Sequence, residues 1–295
     1  MLSSFLKKLD SEGKSPLTIQ AYQNDIEQFK EWLGDTIGFE TEAITETDVR
    51  EYRQYMNLNR KLKVTSINRK IKSIVKYQHY LYKKGICKEE IKLKNVLQKN
   101  NIEWDYEVKV LEKQDQYRLK RTIEATGNKR DILIYYLLFG TGIRCKELVS
   151  IQIDDLFITE RNGKNNYSYV MIRSGKGNKM RKVNLNSQVV NAIKDYFQVR
   201  PEVISKDLLI GQRGPLSRLA INKILEKYSK LSQFDYIVTP HMARHTFCTN
   251  LLKEGKVDPK TLAILTGHSS IDTLYRFYIN SSAEDKQRAV DGLYL

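Results

Sequence analysis

Apolar side chains recur every three or four positions through the first hundred residues, and a chain with that period can bury them only as packed helices. Ile19, Tyr22, Ile26, Phe29 and Leu33 make the clearest stripe. Ser15-Pro16 stands ahead of it, a capping hydroxyl followed by a proline suited to the first helical position, and Gly34 is expected to end the helix. Leu2, Phe5, Leu6 and Leu9 predict a shorter helix before it. Thr45, with Asp48 three residues on, predicts a capped start for a helix carrying Val49, Tyr52 and Met56. A fourth helix is expected from about Thr65 to Lys84, with core face Ile67, Ile71, Ile74, Gln78 and Leu81 and with Gly85 at its end. Four amphipathic helices with short connections predict a small bundle over residues 1–95.

Charge narrows what such a bundle meets. The 295-residue chain carries a formal net charge of +15. From Arg50 to Lys88 there are 12 Lys or Arg and a single acid, Glu51. A solvated helix face mixes both signs, so this run predicts a surface for a polyanion, with Arg60, Lys61, Lys63, Arg69, Lys70, Lys72 and Lys76 as its cations. Tyr52, Tyr55, Tyr77, Tyr80 and Tyr82 interleave with them. Three cysteines without a CxxC pair argue against a disulfide framework and fit a reducing compartment. The longest apolar run, Ile132 to Phe139, is too short to span a bilayer, and Lys7 and Lys8 stand where a signal peptide needs apolar residues. A cytoplasmic protein is therefore expected, without membrane contact.

Residues 96–110 are polar and aromatic, show no helical period and read as a linker to a second domain, 111–295, of mixed character. Helices are expected over Glu112 to Ala125 and Lys129 to Phe139, then a glycine turn, Gly140-Thr141-Gly142-Ile143, that places Arg144 at the start of a helix. An arginine there adds a bidentate fork for a phosphate. Tyr167 to Ile172 and Arg181 to Leu185 predict paired strands, with Ser174-Gly175-Lys176-Gly177-Asn178-Lys179 as the hairpin between them. Helices resume over Ser187 to Val199, Ser217 to Leu231 and from Pro240, the last holding His241, Arg244 and His245 within about one turn. A short helix near Asp258 to Leu265 leads to Gly267-His268, and Ile271 to Ile279 holds Tyr275, Phe277 and Tyr278. No zinc site is expected from the histidines, because Met242 stands where an HExxH motif needs glutamate and Arg244 would repel a cation. No phosphate-binding glycine motif for a nucleotide is present.

Four strings in order resemble the tyrosine recombinases, or phage integrase family: Thr141-Gly142-Ile143-Arg144-x-x-Glu147-Leu148, Gly175-Lys176-Gly177-Asn178-Lys179, His241-x-x-Arg244-His245-Thr246-Phe247 and Gly267-His268-Ser269-Ser270-Ile271, followed by a tyrosine. Ser66-Ile67-Asn68-Arg69-Lys70 also looks like that family's core-binding domain, so the resemblance, closest to its two-domain Xer type, covers nearly the whole chain. It implies a mainly α fold with a small antiparallel β-sheet: an N-terminal helical core-binding bundle and a C-terminal mixed α/β catalytic domain. It implies a site-specific recombinase that cleaves and rejoins DNA through a 3′-phosphotyrosyl link, without cofactor or metal. By the same resemblance Tyr278 is the nucleophile, Arg144 and Arg244 grip the phosphate oxygens, Lys176 protonates the leaving 5′-oxygen, His241 is the general acid/base and His268 hydrogen-bonds the phosphate. Glu147 and His245 support the site, and Lys179 and Arg181 join the DNA contacts.

Spacing from His268 puts Phe277, which cannot attack, at nine residues and Tyr278 at ten, with Tyr275 at seven as the alternative nucleophile. Polar residues over Thr159 to Asn166 make Lys176 less fixed in position, with Lys179 the alternative, and Thr266 stands where the family usually has leucine. The implied partners are double-stranded DNA with inverted-repeat core sites and further copies of the chain in a tetramer, with room for a partner recombinase or a DNA-bending protein. The chain opens directly on the core-binding domain, which is expected of Xer-type, resolvase or transposon-borne enzymes of mobile elements. Two other functions use the same residues: a DNA-binding protein of this fold without strand exchange, and a topoisomerase-like enzyme that nicks and reseals one duplex.

Overall fold

The computed structural model describes residues 1–98, 109–159, 167–173, 180–253 and 257–267. The chain divides into two compact units, Met1–Asp105 and Tyr106–Leu295. Among the described residues no helix is long and apolar enough to cross a membrane.

The first unit contains α1 (Leu2–Ser11), α2 (Pro16–Ile37), α3 (Glu46–Leu58), α4 (Val64–Lys83) and the single turn α5 (Leu93–Val96). Ser15 caps α2, its hydroxyl accepting from the Thr18 amide at 3.3 Å with Pro16 at the first position. Thr45 and Asp48 form a reciprocal capping box at α3. The expected stripes meet in one core, where Ile26, Phe29, Val49, Ile67, Ile71 and Ile74 are fully buried. One boundary differs: α2 runs through Gly34 to Ile37, and Gly38, in the left-handed region at φ 81°, ends it. Gly34 keeps its helical place because the helix needs a left-handed residue only where the chain turns away.

Gln78, a fully buried polar side chain of this core, has both ends paired. The Gln78 side chain donates to the Glu89 carbonyl at 2.6 Å and accepts from the Ile91 amide at 3.2 Å, which ties α4 to the strand of chain leading into α5. Tyr52, Tyr77 and Tyr80 also lie in the core, so three tyrosines that interleave with the basic run in sequence serve packing in space. Tyr77 donates to Glu42 at 2.5 Å, and burial, that hydrogen bond and the Glu42 charge push its hydroxyl far above the usual phenol range.

The second unit holds α6 (Lys113–Ala125), α7 (Lys129–Thr141) and α8 (Cys145–Val149), then β1 (Leu156–Phe157), β2 (Tyr169–Ile172) and β3 (Arg181–Asn184). There follow α9 (Ser187–Phe197), the two-residue strands β4 (Ile210–Gly211) and β5 (Gly214–Pro215), α10 (Arg218–Leu231), α11 (Pro240–Lys253) and α12 (Pro259–Thr266). β1, β2 and β3 form an antiparallel sheet in that order, with Val170 opposite Val183 and Ile172 opposite Arg181. Alternation turns Val170, Ile172 and Val183 into the core that α7 and α9 complete with Leu133, Leu137 and Ile193. β1 and the β4–β5 pair are too short to leave an alternating pattern in the sequence.

Candidate active site

Arg144 sits where the glycine turn aims it. Gly142 takes φ 61° at the end of α7, and a Cβ there would meet the Phe247 ring of α11 at 2.3 Å, so only glycine lets α7 and α11 approach this closely. Two residues later Arg144 is the N-cap of α8. Its amide donates to Glu147 Oε2 at 2.9 Å, and its Nη1 donates to Glu147 Oε1 at 3.0 Å. The other end of the guanidinium reaches the last turn of α12: Nη2 donates to the Gly267 carbonyl at 2.6 Å.

Arg244 arrives at the same turn from α11. It is 5 % exposed, and it donates from Nη1 to the Gly142 carbonyl at 2.7 Å and from Nη2 to the Thr266 carbonyl at 2.8 Å. The two arginines, 100 positions apart in sequence, thus hold neighbouring carbonyls of one turn, the turn that leads into His268. Burial first, then repulsion from Arg144, brings the Arg244 guanidinium down to about 10, so it remains a cation at neutral pH. Thr266 fits its fully buried place because its hydroxyl bonds back to the Leu262 carbonyl at 2.6 Å, leaving no open polar group where a leucine would pack.

Glu147 is the hub. Its side chain is 2 % exposed and receives a bidentate fork from Arg181 of β3, at 2.9 and 2.8 Å, besides its two bonds from Arg144. Burial pushes its carboxyl up, but the hydrogen bonds from Arg181 and Arg144 and the Arg181 charge outweigh this and hold it below the usual carboxylate range. Among the described residues Arg144 and Arg181 bond this carboxylate and Arg244 lies near it, a local surplus of positive charge that favours a bound anion. Arg181, expected from the sequence among the DNA contacts, has a side chain only 13 % exposed and turned onto Glu147.

The His241 and His245 Nε2 atoms lie 2.6 Å apart, so one ring donates to the other and at least one is neutral. Burial, with the charges of His241 and Arg244 near it, lowers His245 to about 4, and burial with Arg244 also lowers His241. A folded value below the ordinary 6.5 means the unfolded chain takes the proton first. The stability contribution is therefore complete above about 6.5 and lost as pH falls toward 4. Urea midpoints should decline over that window, and His245→Gln should flatten the decline; a variant whose midpoint falls as steeply as wild type would refute the assignment.

Of the basic residues expected on the first unit, Arg60, Lys61, Lys63 and Lys72 are exposed. Arg69 donates both ends of its fork to the buried Asp25, at 2.5 and 2.9 Å, while its side chain stays half exposed. Lys70 pairs with the same carboxylate at 3.2 Å, and Lys76 with Glu12 at 3.3 Å. Asp25 stands three residues after Tyr22 and four before Phe29, on the core side of α2, and that spacing is the sequence signal that could have found it. Lys176, Lys179, His268, Tyr275 and Tyr278 lie outside the described residues. Among the described residues no group of three or more His, Cys, Asp or Glu side chains converges as a metal site.

Comparison with known proteins gives the family and the fold. A sequence model described as the phage integrase family matches residues 109–285, and one described as the phage integrase N-terminal SAM-like domain matches residues 2–85. The chain is 33 % identical over 276 residues to the TnP I resolvase of Bacillus thuringiensis, covering 92 % of this chain and 91 % of the relative. It is 31 % identical over 282 residues to tyrosine recombinase XerC of Listeria innocua, covering 91 % and 89 %. Its fold matches the XerH site-specific recombinase bound to a palindromic difH substrate at a TM-score of 0.75 and 21 % identity, over 98 % of this chain and 82 % of that one. It also matches the Tn1549 transposon integrase in complex with a circular intermediate DNA, at a TM-score of 0.71 and 20 % identity, over 99 % of both chains.

Proposed function

Because this chain belongs to the phage integrase family, we propose that it is a site-specific tyrosine recombinase that exchanges DNA strands between short inverted-repeat core sites through a 3′-phosphotyrosyl intermediate. The observation that carries this reading is the convergence of Arg144 and Arg244 on the Thr266–Gly267 turn, with a surplus of positive charge at its rim.

The chemistry follows from what these groups can do. The Tyr278 hydroxyl attacks the scissile phosphorus, a bond forms to its oxygen, and the P–O5′ bond breaks. The phenol is a poor nucleophile near neutral pH, with an ordinary pKa of about 10, so its proton has to be drawn off as the bond forms. His241, held largely neutral by burial and Arg244, serves as the acceptor. Arg144 and Arg244 take the charge that builds on the non-bridging oxygens. Lys176 returns a proton to the leaving 5′-oxygen, and His268 hydrogen-bonds the phosphate. The phosphotyrosyl ester conserves the energy of the broken bond, so a second 5′-hydroxyl reverses the step on another duplex.

The basic face of the first unit fits the duplex backbone, through Arg60, Lys61, Lys63 and Lys72 and the carboxylate-held Arg69, Lys70 and Lys76. Four copies on two paired sites give the geometry that sequential exchange requires. The names of the relatives, a resolvase and a recombinase, favour a role in resolving or moving a mobile element. A nicked DNA carrying the native site, which traps the covalent intermediate, tests the reading. Wild type should give a protein–DNA adduct on a denaturing gel and Tyr278→Phe none. An adduct that survives in the variant moves the nucleophile to Tyr275, and intact binding without adduct in wild type overturns the catalytic reading.

A further inference from the structure

The Glu147 carboxylate accepts four hydrogen bonds, two on each oxygen: Arg144 Nη1 and Arg181 Nη1 on Oε1, the Arg144 amide and Arg181 Nη2 on Oε2. The Arg144 pair is local, three residues along α8. The Arg181 fork comes from β3, 34 positions away, and it is the contact that closes off the remaining lone pairs. Arg181 lies between Glu147 and the end of α12. A Cβ on Gly267 would come within 2.9 Å of its guanidinium carbon, so the flat group is seated on that glycine. Gly267 is the residue whose carbonyl takes the other end of Arg144.

We propose that Arg181 is a positioning residue for strand cleavage: its fork locks Glu147 against the floor at Gly267, and the locked carboxylate aims Arg144 at the phosphate. This inference rests on the strand-cleavage reading above and adds to it a residue that touches neither DNA nor the reacting atoms. The geometry demands an arginine. A lysine at 181 keeps the charge but offers a single point that cannot bridge both carboxylate oxygens. Glu147 then keeps only its local bonds, and the guanidinium of Arg144, whose side chain is already 31 % exposed, gains room to swing.

The alternative, a phosphate contact by Arg181, makes an opposite prediction, because loss of such a contact weakens binding and lowers the salt slope by about one. Wild type, Arg181→Lys and Arg181→Met are compared for single-turnover adduct formation on the nicked DNA and for gel-shift affinity across salt, below the melting temperature of each. Both variants should bind within about twofold of wild type with an unchanged salt slope, and cleave about 10²-fold more slowly, the cost of a misaimed catalytic group. Arg181→Met should also gain a rising limb in its pH–rate profile. Glu147, then left among the described residues with Arg144 on its own helix and Arg244 of α11 nearby, takes up a proton more readily, and adding Glu147→Gln should remove the limb. A merely destabilising change would not move that profile. Arg181→Lys cleaving at the wild-type rate, or a loss of affinity as large as the loss of cleavage, overturns the inference. Absence of an adduct from wild type overturns the parent reading, and this inference with it.

Discussion

Arg244→Ala should slow covalent cleavage by at least about 10²–10³-fold, the usual cost of removing one preorganised donor from a developing oxyanion, while gel-shift affinity for the site changes little. On the proposed reading binding is spread over many phosphate contacts of a strongly basic chain, so one buried arginine should be a small part of it. The same change has a structural cost. The Gly142 carbonyl loses a donor at 2.7 Å in a buried place, at roughly 1–3 kcal/mol, and the Thr266 carbonyl loses its donor at 2.8 Å while Arg144 Nη1 stays within 3.5 Å of it. Rates are therefore compared at temperatures where circular dichroism shows both proteins folded. Arg244→Lys separates the two effects: it keeps the cation but gathers its donors on one nitrogen in place of the fork, so it should recover stability more than cleavage. Parallel loss of binding and cleavage in Arg244→Ala would contradict the transition-state role.

Glu147→Ala should be strongly destabilising, on the scale of losing a large core side chain. Among the described residues it removes the one carboxylate that pairs with Arg144 and Arg181, with Arg244 nearby, and leaves buried positive charge uncompensated. Breaking a buried ion pair on one side costs about 3–5 kcal/mol, read as a lowered urea midpoint with the slope unchanged. Glu147→Gln keeps the shape and one acceptor oxygen and should cost less. A loss under about 1 kcal/mol for the alanine variant would show that solvent or relaxation replaces the carboxylate, and would remove the basis for treating it as the hub.

Both predictions rest on groups that differ in how visible they are along the chain. The α3 start was legible because Thr45 and Asp48 satisfy each other's backbone within three residues. Tyr77 and Tyr80 looked like part of a basic, aromatic surface, yet they bury among the isoleucines, because position around a helix outranks sequence neighbourhood. Arg69 and Lys70 read simply as cations, although a buried aspartate one helix away holds both. Arg181 looked like one more basic residue after a lysine-bearing hairpin, and its carboxylate partner could not be picked out from among 35 acids.

Helix positions, the caps at Ser15 and Thr45, the basic run and the β2–β3 pairing were determined by the sequence alone, since each depends on periods and contacts a few residues long. The partners of the guanidiniums were decided only by tertiary structure. Arg181 meets Glu147 across 34 positions, Arg244 meets Gly142 across 102 and Arg144 meets Gly267 across 123. A guanidinium bonds whichever carboxylate or carbonyl the packed core brings within about 3 Å. That distance exists only once α7, α8, β3, α11 and α12 have closed on one another.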